Sequence, residues 1–348
     1  MKKNMVVVGY GGMGGWHTER ALKSDVVELL GVYDIKEERN ELARSRGIFA
    51  YDSFEAVLAD ERVDLITVAI PNDSHKSVVI EALDAGKNVI CEKPVALSSD
   101  DLQEMIAAAE RSGKIFSVHQ NRRWDVDFLA MKQLVNSGEI GKMIRIESRI
   151  HGSRGIPSDW RGKKEQGGGM LYDWGVHLID QMLQIADGEI VSVYCTFENI
   201  TNDEVDDGFH LEMKTSSGQT IFIEVGTYNF IAMPRVYMQS KNGSAKITDW
   251  RETCDVVKCN YWHESDVIPV ETAAGLTKTM APRDSVTVSE YQIERPSSDV
   301  HDYYRNFCRA IDGEETQLVT HPQMMRVIKV IEAAFESVEK AQRIDVKL

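Results

Sequence analysis

At about 150 residues per domain, a chain of 348 residues holds two compact cores, which excludes a peptide-sized or disulfide-stapled scaffold. Hydrophobic residues at 43% and charged residues at 27% match ordinary globular proteins, so neither disorder nor a fibre is indicated. The 40 Lys and Arg against 55 Asp and Glu leave a charge of −15, which repels phosphate backbones and anionic bilayers and argues against nucleic acid or membrane as partner.

In chain order, short β-branched runs (Met5 to Val8, Val27 to Tyr33, Asp64 to Ile70, Asn88 to Cys91, Lys114 to His119) alternate with helical patterns. A helix is predicted through Trp16 to Lys23, and amphipathic helices over Ser74 to Ala85 and Ser98 to Ser112, each opened by a Ser that can cap it. This alternation predicts an α/β unit, a doubly wound parallel Rossmann sheet, over residues 1–122. Beyond it Met143 to Ile150, Ile190 to Asn199, Phe209 to Lys214, Thr220 to Gly226 and Val236 to Ile247 read as strands, with turn signals at Ser217-Gly218 and Asn242-Gly243. They predict an α+β domain with antiparallel hairpins over 123–348. The stretch 248–295, with Trp250, Trp262, Pro269, Gly275 and Pro282, lacks sustained periodicity and is expected to be a functional loop region rather than sheet. Helical spacing returns over His301 to Ile311 and Pro322 to Ala341.

The five cysteines are scattered and odd in number, and Cys254 and Cys259 lack partners at zinc spacing, so ordinary thiols, no metal and a reducing compartment are expected. The apolar run Met5 to Val8 is too short for a signal-peptide core, and no stretch approaches the roughly 20 apolar residues of a membrane span. A cytoplasmic location is therefore expected.

Gly9-Tyr10-Gly11-Gly12-Met13-Gly14 follows a strand and opens a helix, the context in which such a turn approaches a pyrophosphate and offers it helix N-terminal amides. Asp34 ends the next strand 20 residues beyond Gly14, where a carboxylate accepts hydrogen bonds from ribose hydroxyls and repels a 2′-phosphate. NAD is thus expected ahead of NADP, although Lys36 and Arg39 stand close by and tolerate a phosphate. Lys93, in Glu92-Lys93-Pro94, lies at the carboxyl edge of the sheet, where an ammonium can hydrogen-bond a substrate oxygen and move protons. In Gly167-Gly168-Gly169-Met170-Leu171-Tyr172-Asp173-Trp174-Gly175-Val176-His177-Leu178-Ile179-Asp180, Asp173, His177 and Asp180 fall at i, i+4 and i+7. On a helix these project from one face, so acid and imidazole can converge on one substrate, with His177 as the proton-transfer residue and Asp180 as helper or structural partner.

Together the glycine-rich turn, Glu92-Lys93-Pro94 and the Gly167 to Asp180 segment resemble the glucose-fructose oxidoreductase, inositol dehydrogenase and MocA (Gfo/Idh/MocA) family, over nearly the whole chain. The resemblance implies a Rossmann domain, a second domain with an open, mainly antiparallel sheet, and C-terminal helices (about 299–341) returning towards the first domain. It makes Pro71, Asn72 and His75 cofactor-side candidates, turns Glu92 to the nicotinamide ribose, and brings Gln120 and Arg123 to cofactor and substrate and Trp160 and Arg161 to the pocket. It further implies NAD-dependent, reversible oxidation of a secondary hydroxyl of a sugar, cyclitol or glycoside, catalysed by Lys93, Asp173 and His177, in a homodimer or homotetramer. Candidate substrate contacts are His151, Arg154, Trp160, Tyr228 and Arg235, because sugar hydroxyls need hydrogen-bond partners and sugar faces stack on aromatics. Two alternatives stand beside this reading. One is a glycosidase or epimerase that oxidises, eliminates and reduces with retained NAD; the other is a non-catalytic nicotinamide-binding regulator, against which the intact trio argues.

Overall fold

The computed structural model describes residues 1–261 and 267–348; Trp262 lies outside the described residues. The first runs form β1 (Lys3–Val8), β2 (Val27–Tyr33), β3 (Leu65–Val68), β4 (Asn88–Cys91) and β5 (Phe116–Val118). All pair in parallel in the order β2-β1-β3-β4-β5. Between them run α1 (Gly12–Ala21), α2 (Glu37–Ser45), α3 (Phe54–Ala59), α4 (His75–Asp84) and α5 (Ser99–Ser112). Every residue of β3, β4 and β5 is buried, as a sheet covered on both faces requires. Ser98 caps α5, its side chain accepting from Asp101 N at 3.1 Å. Ser74 does not cap α4: Asn72–Ser74 already winds as a 3-10 turn, so Ser74 is helical when α4 begins and its hydroxyl makes no cap bond.

The strand order reverses between β1 and β3, and the carboxyl ends of the five strands deliver Gly9, Asp34, Pro71, Lys93 and Gln120 to one edge of the sheet.

The chain continues through α6 (Val126–Ser137) and β6 (Met143–His151) to a π-helical turn, Leu171–Gly175, which runs into α7 (Val176–Ile185). Then come β7 (Ile190–Glu198), β8 (Gly208–Thr215), β9 (Thr220–Gly226), β10 (Val236–Ser240) and β11 (Gly243–Ile247). Among its described residues the stretch expected to be loop contains four strands, β12 (Asp255–Cys259), β13 (Val270–Thr272), β14 (Gly275–Thr277) and β15 (Val288–Gln292). β12 and β15 extend the main sheet at its edge, where one or both faces stay wet and no apolar alternation is demanded; β13 and β14 form an exposed hairpin of their own. The chain closes with α8 (Asp302–Ile311), α9 (His321–Lys340) and β16 (Ile344–Asp345).

The second sheet runs β15-β12-β11-β10-β6-β9-β8-β7-β16, antiparallel except for the β6 and β9 pair. Ile146, Ile221, Ile223, Leu211 and Val193 are buried on its inner face, towards α7 and α9. α8 returns to the parallel sheet, where Tyr303 Oη donates to Val118 O at 2.9 Å and Arg305 pairs with Asp25 at 3.0 Å. α9 spans both units, its Glu332 accepting from Ser99 N at 2.6 Å. All five cysteines are free, and no described helix is long and apolar enough to cross a membrane.

Candidate active site

Gly9 adopts φ +93°, and a Cβ on Gly14 would lie 1.7 Å from Gly9 O, so the turn from β1 into α1 closes only with glycine at both positions. α1 starts without a side-chain cap or an acid in its first turn, which leaves its N-terminal amides for an anion. Around it lies an open groove of about 380 Å³ lined by Tyr10, Gly11, Gly12, Trp16, Arg39 and Arg46, among others. Met13 borders the same turn and is 37% exposed. Asp34 reaches back over the loop: its Oδ2 accepts from Tyr10 N at 2.7 Å and its Oδ1 from Lys36 N at 2.9 Å. A glycine cradle, free helix amides and an acid at its rim fit a dinucleotide, with the pyrophosphate on the α1 amides and a ribose towards Asp34. Arg39 and Arg46 share the groove wall with this acid.

At the next strand ends the catalytic candidates meet. Lys93 Nζ donates to Asp173 Oδ1 at 2.7 Å and to Asp173 O at 2.9 Å, and Arg161 Nε donates to Asp173 Oδ2 at 3.2 Å. Burial pushes the Asp173 carboxyl up, but Lys93 and Arg161 reverse this and hold it below its ordinary value, so it stays ionised. Gln120 Oε1 accepts from His177 Nδ1 at 3.1 Å, which assigns the proton to Nδ1 and leaves the Nε2 lone pair without a protein partner among the described residues. Burial, followed by the charges of Lys93 and Arg122, keeps the His177 imidazole well below 6.5, hence neutral at pH 7. A proton acceptor and an ammonium donor thus stand at the edge that also carries the cofactor loop.

Several candidates are placed elsewhere. His75 is fully buried with its ring nitrogens 2.9 Å from Pro94 O and 3.0 Å from Ile70 O, and the neutral ring donates to one of these carbonyls, which leaves it packed between two loops and not open to the groove. Asn72 is buried and donates to Gly167 O at 3.0 Å, holding the triple-glycine entry, while Pro71 is exposed beside it. Glu92 is buried behind Lys93 among histidines rather than open to a ribose. Arg123, expected at the substrate, is sealed in a bidentate pair with Asp180 at 2.6 and 2.7 Å and also reaches Leu318 O and Gln323. Asp180 is therefore held by Arg123 while Asp173 is held by Lys93, and the π-turn between Asp173 and α7 alters the helix phase that would put the two acids on one face. His151 pairs with Glu224 at 3.0 Å on the outer face of the second sheet, opposite the apolar face under α7. Trp160 is half-buried under the Arg161 guanidinium, Arg154 and Tyr228 are exposed, and Arg235 is buried in an ion pair with Asp127.

Three site neighbours escaped the sequence reading. Trp174 stacks towards His177 (centroids 6.1 Å), the Arg122 guanidinium lies 4.3 Å over Trp174, and Trp250 packs on Trp174 at 5.8 Å. Trp174 sits inside the motif between Asp173 and His177 and could have been flagged there; Trp250 arrives from the aperiodic stretch with no local signal.

Residues 3–120 match a family described as an oxidoreductase family with an NAD-binding Rossmann fold, which sets the class of protein that the glycine cradle and strand-edge site define. Residues 128–246 match the GFO/IDH/MocA C-terminal domain. The chain belongs to the Gfo/Idh/MocA oxidoreductase family. A solved structure of an NAD-binding protein from Listeria innocua is 43% identical, with a TM-score of 0.95 over 99% of this chain and 100% of that one. An NADP-linked scyllo-inositol 2-dehydrogenase of Bacillus subtilis is 27% identical over 291 residues, 83% of this chain and 81% of that protein. Two uncharacterized oxidoreductases of Schizosaccharomyces pombe are 35% identical, over segments spanning only 44% and 37% of their own lengths.

Proposed function

We propose that the protein catalyses the reversible, NAD-dependent oxidation of a secondary hydroxyl on an uncharged ring polyol: a sugar, cyclitol or glycoside. The observation that carries this reading is the Lys93 and Asp173 pair beside a neutral His177 whose Nε2 is free to accept a proton. His177 Nε2 takes the hydroxyl proton, Lys93 Nζ hydrogen-bonds the same oxygen as it becomes a carbonyl, and Asp173 holds Lys93 in place. NAD, when bound, accepts the hydride leaving that carbon. Around Asp173 and His177 the cations are already matched by carboxylates: Lys93 by Asp173, Arg161 by Asp159 as well as Asp173, Arg122 by Asp125 and Arg123 by Asp180. This favours an uncharged substrate over a sugar phosphate.

Asp34 favours NAD, whereas Arg39 and Arg46 on the same groove would favour a 2′-phosphate. The test follows absorbance of the reduced nicotinamide with NAD and NADP in parallel, against inositols, free sugars, glycosides and sugar phosphates. A polyol-dependent rise with NAD is expected. Tight NAD binding with release of an aglycone and no net NADH would replace the dehydrogenase reading by the retained-NAD glycosidase.

A further inference from the structure

Directly behind Lys93 lies a buried polar cluster that the proton-transfer reading does not use. Glu92, 5% exposed, accepts at Oε1 from both His17 Nε2 and His119 Nδ1, each at 2.8 Å, and at Oε2 from the Lys93 amide at 3.2 Å. His17 Nδ1 in turn accepts from Tyr304 Oη. Each donor belongs to a different part of the site. His17 lies on α1, the helix whose N-terminus forms the dinucleotide cradle, and Tyr304 lies on α8. His119 immediately precedes Gln120, the residue that holds His177 in its proton-accepting tautomer, and Lys93 is the ammonium of the site.

We propose that Glu92 is a positioning residue: one buried carboxylate that ties the cofactor-binding helix to Lys93 and, through His119 and Gln120, to His177. The proposal rests on Lys93 and His177 being the groups that move the proton.

Three considerations support it. A carboxylate this deep is costly to desolvate and persists only with several donors, and Glu92 has three: His17 on α1, His119 at the end of β5 and the amide of its own neighbour Lys93. Burial would raise its carboxyl, yet His119 and His17 more than reverse that and hold it well below its ordinary value, so it is a charged acceptor throughout the neutral range. His17 itself is kept below 6.5 by burial, hence neutral, with one N–H for Glu92 and one lone pair for the Tyr304 hydroxyl, so its two bonds use its full capacity. The same three side chains place their ligand atoms within 4.8 Å of one another, a spacing that could also hold a metal ion. The 2.8 Å separations are those of shared protons, and metal-bound ligand atoms would have to move apart.

The test compares turnover, KM and NAD affinity in Glu92→Gln and Tyr304→Phe, with NAD binding read from the fluorescence of Trp16, whose ring packs on His17 and lines the groove. Glu92→Gln keeps the volume but turns one acceptor into a donor facing the Lys93 amide. Its kcat should fall about 10- to 100-fold while KM and NAD affinity stay within about threefold, because misplacement of a catalytic group by an ångström carries that cost. Tyr304→Phe keeps the ring, removes only the outermost bond and should lower kcat about two- to fivefold, which preserves the test if Glu92→Gln does not fold. In a Lys93→Ala background the Glu92→Gln loss should shrink, since the part that acts through Lys93 is already gone and only the part routed through His119 and Gln120 to His177 is left. The proposal is overturned if both single variants keep wild-type kcat, if the Glu92→Gln loss multiplies undiminished onto Lys93→Ala, or if the purified protein carries stoichiometric zinc whose removal abolishes turnover. Wild-type turnover in Lys93→Ala would defeat the underlying reading and this proposal with it. An inactive Lys93→Ala beside a fully active Glu92→Gln would defeat the proposal alone.

Discussion

Asp173 and Asp180 stand seven residues apart on one helical segment, and each grips a basic side chain from the carboxyl edge of the parallel sheet. Lys93 and Asp173 keep 15% and 12% of their side chains exposed; Arg123 and Asp180 keep 7% and 3% and are closed in by Leu318 and Gln323. Residue type and spacing are nearly the same in the two pairs. Exposure, together with a neutral imidazole close by, is what the proposed proton transfer needs and what the Arg123 and Asp180 pair lacks.

The sharpest way to break that contrast is to remove the open lysine or the imidazole close to it. Lys93→Ala and His177→Ala should each lower turnover about 10²- to 10⁴-fold while NAD binding is kept. Wild-type turnover in Lys93→Ala would show that openness does not mark function here, and in His177→Ala that the imidazole is not the base. Asp180→Ala should do the reverse. Stranding Arg123 in the interior should cost about 3–5 kcal/mol in urea unfolding, with the kcat of the folded fraction within about threefold of wild type. A large loss of kcat with unchanged stability would move Asp180 into the chemistry.

Acid should act on both functions in the same direction. His17, His75 and His177 all have their imidazoles lowered by burial, so the unfolded chain binds protons first as pH falls. The stability contributed by keeping them neutral is fully present above about 6.5 and is lost progressively below it, read as a falling melting temperature. For the same reason the acid limb of kcat/KM assigned to His177 should lie below 6.5, and a limb above that value would exclude a buried neutral base. The smallest effect is expected at the open pair's outer wall. Trp250→Ala should raise substrate KM about two- to fivefold through loss of its contacts with Trp174 and Arg122, with kcat and melting temperature little changed.

What the sequence made legible follows from local physics. The β1 turn, Asp34 and the Lys93 corner are short-range patterns fixed to strand ends, and the hairpin turns at Ser217-Gly218 and Asn242-Gly243 join strands that pair antiparallel, β8 with β9 and β10 with β11. Asp173 and His177 stand out in the sequence because they share a helical segment. The partners that decide their roles were not local: Gln120 meets His177 across 57 positions, and Trp250 reaches Trp174 from a distant stretch. β12 and β15 were missed because an open face at this end of the sheet leaves Val257 on β12 40% exposed, so their sequences carry little burial pattern. Helical spacing alone could not reveal that a π-turn would separate Asp173 from Asp180, or that Arg123 would close on the latter.

The parallel pairing of β6 with β9 has a consequence for how the molecule is made. The hairpins β7-β8-β9 and β10-β11-β12 can zip by local antiparallel pairing, but β6 meets β9 only after residues 152–219, and β10 only after 152–235, have crossed over. That crossover contains the triple glycine, Asp173, His177 and all of α7. Closing so long a loop is a late and slow event in a folding chain, so the joining of the sheet's two halves and the birth of the reactive pair should be one step on the folding path, with no finished sheet ever waiting for its chemistry.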